Sequence, residues 1–239
     1  MTRSVFVTGG NRGIGLATAL AFAARGDRVA ATYRSGEPPA ELLDAGVLAL
    51  RCDVTDGGQV DAAFERIEQA HGPVEVLVAN AGLVRDQLLL RMSEQEFTEV
   101  LDANLTGAFR VLRRAAPGMV AAGRGRIVLL SSVVALQGAP GQANYAASKA
   151  ALTGLARSAA RELGPYGVTC NILAPGLVDT DMTADLPAAR RTELLAGIPL
   201  GRAARPAEVA AAALFLASPA AAYLTGAVLP VDGGAGLGH

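Results

Sequence analysis

Tyr145 and Lys149 stand four residues apart in the stretch ANYAASKAAL (143–152), and Lys149 is the only lysine in a chain that carries 20 arginines. In a helix, positions i and i+4 share a face, so the phenol and the ammonium project together. A free tyrosine titrates near pH ~10. A cation within about 4–6 Å favours the phenolate and is expected to lower that value. A tyrosine lowered in this way serves as a general acid or base near neutral pH. Ser131 and Ser132 close the apolar run RIVLLSS (126–132). One of these hydroxyls can hold a carbonyl oxygen; neighbours on a strand face opposite sides, so only one of the two can point to the chemistry.

The glycine-rich turn TGGNRGIG (8–15) follows an apolar run and opens a helical pattern. Glycines in that setting let the backbone approach a pyrophosphate, and the helix N-terminus offers free N–H groups and a positive dipole. A strand-to-helix turn with no ligand could use the same glycines. If a dinucleotide binds, Lys149 can also donate to its ribose hydroxyls, a compact rotatable contact that arginine does not reproduce. The second strand ends ATYRSGE, with Arg34 at its tip and Glu37 only after Gly36, while Arg12 lies inside the glycine turn. An acid at that tip would select the 2′-hydroxyl of NAD, whereas arginines suit the 2′-phosphate of NADP. Both could also be ordinary surface arginines. Asp53 ends the third strand, placed to accept from an adenine amino group, and Asn80, Ala81 and Gly82 end the fourth.

These residues need a scaffold, and the chain alternates strand-like and helical runs. Strands are expected at 4–8, 28–33, 47–54, 74–80, 126–132, 168–175 and 227–234, and helices at 13–26, 59–72, 144–163 and 206–218, with a helical region over about 93–122 read as two helices. Continuous Val, Leu and Ile strands separated by helices predict an α/β fold, a doubly wound parallel sheet of seven strands covered on both faces. That is a single Rossmann-type domain over residues 1–239. The stretch 176–203 lacks periodicity, follows the carboxyl end of a strand and is expected to be a functional loop or lid.

Composition narrows the function classes. Apolar residues make up 51%, charged residues 18% and the net charge is −1, which describes a folded chain without the basic run of a nucleic-acid protein. No segment reads as a signal peptide or a membrane span, so a cytoplasmic protein is expected. Cys52 and Cys170 sit in strand-like runs and read as buried free thiols of a reducing compartment. His71 and His239 read as solvated surface residues, and no metal is implied.

Taken together, these residues resemble the short-chain dehydrogenase/reductase family in its single-domain branch, over essentially the whole chain. The family's T-G-x-x-x-G-x-G falls on Thr8–Gly15, its N-A-G on Asn80–Gly82, and its Asn–Ser–Tyr–Lys tetrad on Asn104, Ser132, Tyr145 and Lys149. The thirteen-residue step to Tyr145 selects Ser132 over Ser131. Asn104, inside a helical run, is singled out by the resemblance alone. The resemblance implies cofactor contacts from Gly9, Asn11, Arg12, Gly13, Ile14, Gly15, Arg34, Asp53, Val54, Asn80, Ala81, Gly82, Tyr145 and Lys149, and from Pro175, Gly176, Val178 and Thr180 of PGLVDT, which resembles the family's loop to the nicotinamide.

Finer stretches, RDQLLLRM (85–92), GQANYAASKA (141–150), DTDMT (179–183) and PVDGG (230–234), are similar to the bacterial β-ketoacyl-acyl-carrier-protein reductases, actinobacterial members above all. This implies a homotetramer that uses NADPH to reduce a 3-oxoacyl chain tethered to acyl-carrier protein in fatty-acid synthesis. Two arginines that dock the carrier in known members align with Gly123 and Tyr166, leaving Arg113, Arg114, Arg124 and Arg126 as candidate replacements; Ala79 also stands where a second asparagine is commoner. The docking departures keep a dedicated polyketide or natural-product ketoreductase in view. A reductase of free ketones and a non-catalytic NADP-binding protein are further alternatives.

Overall fold

The computed structural model describes residues 2–184 and 187–236. The strands are β1 (Ser4–Val7), β2 (Arg28–Tyr33), β3 (Leu48–Arg51), β4 (Val76–Ala79), β5 (Gly125–Leu130), β6 (Val168–Pro175) and β7 (Val228–Val231). The helices are α1 (Gly13–Ala24), α2 (Ala40–Asp44), α3 (Gly57–His71), α4 (Glu94–Leu101), α5 (Gly107–Ala121), α6 (Val134–Gln137), α7 (Ala143–Leu163), α8 (Asp181–Ala184), α9 (Ala188–Ala196) and α10 (Pro206–Leu216). All seven strands pair in parallel in the order β3-β2-β1-β4-β5-β6-β7. This is the doubly wound sheet that the alternating pattern predicts.

Strand periodicity explains how such continuous apolar runs serve two cores. Along β1, Val5 and Val7 enter one buried cluster and Phe6 the other; along β4, Val76 and Val78 part from Leu77 and Ala79; along β5, Val128 and Leu130 part from Ile127 and Leu129. Period-two alternation sends successive side chains to opposite faces, and both faces are covered, so the runs are apolar at nearly every position. Phe22, Val209 and Leu216 bring α1 and α10 onto one face; Phe64, Met119 and Leu152 bring α3, α5 and α7 onto the other.

Some elements differ from expectation. The region read as two helices is one continuous helical run from Glu94 to Ala121, with a π-helical turn at Asp102–Thr106. Gly107 does not break it, because the glycine is there for closeness: a Cβ would stand 2.7 Å from Val54 Cγ2. The short α2 and α6 fall below the length at which periodicity registers. The stretch 176–203 contains α8 and α9; its residues 185–186, like His239, lie outside the described residues. His71 is a correction: it is half-buried in the last turn of α3, its Nδ1 has no hydrogen-bond partner, and burial pushes its pKa down. Cys52 and Cys170 are buried free thiols, pushed up to about 11 and about 12, first by burial. Among the described residues no helix is long and apolar enough to cross a membrane.

After β1 the chain winds outward through β2 to β3, then returns to place β4 on the other side of β1. Ligands of open α/β sheets bind at the carboxyl ends of the strands at such a reversal, so Thr8–Gly15 after β1 and Asn80–Gly82 after β4 flank the crevice. The sheet behind it depends on packing at Phe6, which is 1% exposed and meets the Phe64 ring edge-on, with centroids 5.1 Å apart. Phe6→Ala is expected to cost about 3–5 kcal/mol, read as a lowered denaturant midpoint at an unchanged slope.

Candidate active site

The glycine turn is shaped by its neighbours. Gly9 and Gly13 have φ of 64° and 53°, in the left-handed region that favours glycine. Gly15 is packed where a Cβ would collide with the Gly9 carbonyl oxygen and the Asn80 amide. Asn80 clamps the turn: its Nδ2 donates to the carbonyls of Thr8 and Gly9, each at 2.9 Å, and its backbone N–H donates to Thr8 Oγ1 at 3.0 Å. The Ala81 N–H donates to the same hydroxyl at 3.0 Å. Thr8, which sequence reading took only as the head of a motif, is thus the pin between β1 and β4.

Side chains cap α3 and α4, where Asp56 accepts from Gly58 and Gln59 and Ser93 forms a capping box with Glu96. No side chain caps α1, and its first turn carries no acid. Open N–H donors at a helix start suit an anion, so the residues present fit the pyrophosphate of a dinucleotide. From across the sheet the segment after β6 meets this turn. A Cβ at Gly13 would stand 3.2 Å from Thr180 Cγ2. That segment is tied down by the Gly176 N–H donating to the Val231 carbonyl at 3.1 Å and by a bridge between Val178 and Ala204. Pro175 accepts from the Val133 N–H at 3.0 Å. Asn11, Ile14 and Ala81 line the same edge and are half-buried. Asp53 Oδ1 accepts from both the backbone N–H and the hydroxyl of Thr55, at 2.9 and 2.8 Å. Its other oxygen remains for a ligand, beside the buried Val54.

The tetrad residues converge at the carboxyl ends of β4 and β5. Lys149 is 4% exposed, and its Nζ donates to the Leu130 carbonyl at 2.6 Å. Its Nζ lies 5.7 Å from the centroid of the Tyr145 ring. Ser131 Oγ donates to the Lys149 carbonyl at 2.8 Å and so faces α7. Ser132 Oγ accepts from the Val134 N–H at 3.2 Å and bears on the Tyr145 phenol as an influence that lowers its pKa.

The expected lowering of the phenol is not what this site produces. Burial pushes Tyr145 up to about 12, with Ser132 pulling the other way and Asp86 adding to the rise. The lysine does not offset this because it is itself burdened: burial pushes Lys149 down to about 8, and its ammonium is turned to Leu130.

Asn104 lies in the π-helical turn, 1% exposed. Its Oδ1 accepts from the Leu83 N–H at 2.7 Å, and its Nδ2 donates to the Leu83 carbonyl and to Ser148 Oγ, both at 3.0 Å. Both amide hydrogens are used, leaving one lone pair of Oδ1. Gly82 opens the space beside it: a Cβ there would stand 3.3 Å from Asn104 Oδ1 and 3.5 Å from Lys149 Nζ.

Sequence reading missed two positioning residues. Ser148 Oγ, besides accepting from Asn104, donates to the Tyr145 carbonyl at 2.8 Å. Asn144 Nδ2 donates to the carbonyls of Arg85 and Glu96 at 2.9 and 3.2 Å, and its Oδ1 accepts from the Tyr145 N–H at 2.7 Å. Both are buried polar residues on the inner face of α7; the signal was their place at helical spacing beside apolar positions.

The proposed carrier-docking arginines are mostly engaged. Arg114 forks onto Glu68 at 2.9 and 2.8 Å, Arg124 pairs with Glu75 at 2.9 Å, and Arg126 turns back to the carbonyls of Gly125 and Gly167. Arg113 lies over the Phe109 ring at 5.7 Å and, among the described residues, has no carboxylate partner. A cavity of about 500 Å³ is lined by Asp179, Arg191, Leu195, Gly201, Arg202, Ala203 and Arg205, and none of the tetrad borders it.

A switch-point crevice with an uncapped glycine turn on one side and Ser132, Tyr145 and Lys149 on the other defines an α/β protein of the Rossmann class. A family model described as enoyl-(acyl carrier protein) reductase matches residues 9–236. Over 240 residues the chain is 52% identical to the 3-oxoacyl-[acyl-carrier-protein] reductase MabA of Mycobacterium avium, covering 100% of this chain and 92% of that protein. It is equally 52% identical to MabA of Mycobacterium tuberculosis H37Rv, over 100% of this chain and 95% of the relative. The 3-oxoacyl-[acyl-carrier-protein] reductase FabG of Staphylococcus aureus (strain N315) is 42% identical, with 98% of each chain covered. The chain belongs to the short-chain dehydrogenase/reductase family.

Two consequences can be measured. The folded pKa of Lys149, about 8, lies below the ordinary 10.5. Below pH 8 the fold therefore carries a buried charge at full cost; the burden shrinks as pH rises toward 10.5 and is gone above it. Lys149→Met is expected to stabilise the fold by roughly 1–3 kcal/mol at pH 7 and to lose that gain at pH 10.5, as read by denaturant unfolding at the two pH values. Asn104→Ala leaves the Leu83 N–H and C=O unpaired, and is expected to cost about 1–3 kcal/mol in the same assay.

Proposed function

We propose that this chain is an NADPH-dependent 3-oxoacyl-[acyl-carrier-protein] reductase of fatty-acid synthesis. The observation that carries the reading is whole-chain identity of 52% with proteins of that name, in a chain whose Ser132, Tyr145 and Lys149 meet at one sheet edge. When bound, NADPH supplies the hydride. The chain's own residues bind, orient and move the proton. The Ser132 hydroxyl holds the β-carbonyl oxygen and stabilises the developing alkoxide. The Tyr145 phenol, kept protonated by burial, gives that oxygen its proton. Lys149 donates to the nicotinamide ribose and restores the proton to Tyr145. A water in the space left by Gly82, between Asn104 Oδ1 and Lys149 Nζ, would feed that relay. The segment 176–203 serves as the lid over the nicotinamide. Arg12 and Arg34, exposed and without carboxylate partners among the described ion pairs, support the choice of NADPH.

The reading includes a homotetramer in the cytoplasm, for which exposed Phe109, Phe215 and Leu224 offer apolar contact surface. The family description names reduction of an enoyl chain, a C=C bond rather than a C=O bond. A dedicated natural-product ketoreductase is the second reading, favoured by Gly123 and Tyr166 at the docking positions and by the engagement of Arg114, Arg124 and Arg126.

NADPH oxidation is the test, with acetoacetyl and crotonyl chains each carried on fatty-acid carrier protein, a pathway carrier and coenzyme A. Turnover of acetoacetyl on the fatty-acid carrier, with crotonyl inert, is expected. Preference for the pathway carrier would favour the second reading, and turnover of crotonyl alone would overturn both. Tyr145→Phe is expected to lower kcat by about 10²–10⁴-fold while leaving cofactor affinity within about twofold.

A further inference from the structure

The sequence placed Arg12 in the glycine turn and Arg34 at the tip of the second strand, and the sheet brings a third arginine to the strand beside that tip. β2 and β3 pair in parallel with Tyr33 opposite Arg51, so Arg51 ends β3 beside the tip of β2. Its side chain is exposed, and its Nε donates to the Arg34 carbonyl oxygen at 3.3 Å. This contact uses the Nε edge of the guanidinium on the backbone of the residue at the β2 tip. The two terminal nitrogens, with four N–H groups, make no hydrogen bond among the described residues. Among the described residues Arg51 forms no ion pair, nor do Arg12 and Arg34, whereas Arg3, Arg110, Arg114, Arg124, Arg191 and Arg202 all do.

We infer that Arg51 is a specificity-determining residue for the adenosine 2′-phosphate, acting beside Arg34. This rests on the NADPH reading above. The tip of β2 is where a dinucleotide's adenosine ribose presents its 2′ substituent. A guanidinium held by its Nε edge there presents its fork to a phosphate, the geometry in which arginine surpasses a point charge. Arg51 came from strand register and not from any glycine or loop motif. Sequence inspection passed over it because it lies two residues before Asp53, inside an apolar run.

The experiment is equilibrium binding, read by nucleotide fluorescence for NADPH and NADH and by calorimetry for adenosine 2′,5′-bisphosphate and 5′-AMP. It compares the wild-type chain with Arg34→Gln, Arg51→Gln and Arg51→Lys, each checked for an unchanged melting temperature. Arg51→Gln is expected to weaken NADPH and the bisphosphate about tenfold, with NADH and 5′-AMP within about twofold. Arg51→Lys should recover only part of the loss, since the charge returns without the fork. The discrimination should shrink as salt rises. If Arg51→Gln keeps the wild-type NADPH-to-NADH ratio while Arg34→Gln lowers it, the role given to Arg51 is overturned and the cofactor reading stands. If the wild-type chain itself binds NADPH no better than NADH, the cofactor reading fails and the inference falls with it.

Discussion

A buried ammonium sets the terms for everything around it. Lys149 is held against the Leu130 carbonyl at the carboxyl end of the sheet, under α7 and beside Gly82. An ion so nearly removed from water is costly unless its partners are arranged with care. The arrangement recruits most of the polar groups nearby. Ser131 fastens the α7 backbone at Lys149 to the end of β5, Ser148 and Asn104 brace α7 against the π-helical turn, and Gly82 keeps the space beside Nζ clear. The tyrosine feels the same burial in the opposite sense, because there the neutral form is favoured.

This changes how the Tyr–Lys pair should be understood. The helical spacing suggested a phenol activated by a neighbouring cation. The site instead keeps the phenol protonated and the lysine weakly basic, a combination that suits a proton donor recharged from a nearby amine. The i,i+4 relation correctly put the two side chains on one face; it carried no information on how deep that face lies. Depth decides the direction of both shifts, and depth comes from β5, the Gly82 loop and the π-helical turn closing over α7.

The same contrast runs through the cofactor crevice. The glycines of 8–15 were legible because no other residue tolerates positive φ so freely or packs so closely, and their position between a strand and a helix is the setting that a dinucleotide-binding turn requires. The clamp that shapes them was not legible: Asn80 reaches the Thr8 and Gly9 carbonyls from 72 and 71 residues away. Asn104 is similar. Nothing local distinguishes it within DANLTGAF, and its bonds run to Leu83 and Ser148, 21 and 44 residues distant. Arg51 sits in the plainest strand of the sheet and gains its meaning only from pairing with β2.

What the sequence determined by itself is what local physics can dictate. Alternating apolar strands and helices required a parallel sheet with both faces covered, the glycine turn required a close backbone approach, and the lone lysine four residues from a tyrosine required a shared helix face. The tertiary structure decided the continuity of the helical run through Asp102–Thr106, the burial of half of His71, which serine faces the phenol, which arginines are already paired, and in which direction Tyr145 and Lys149 are shifted. Those outcomes depend on desolvation and on hydrogen bonds between groups far apart in the chain, and neither quantity exists until the sheet brings the strand ends together.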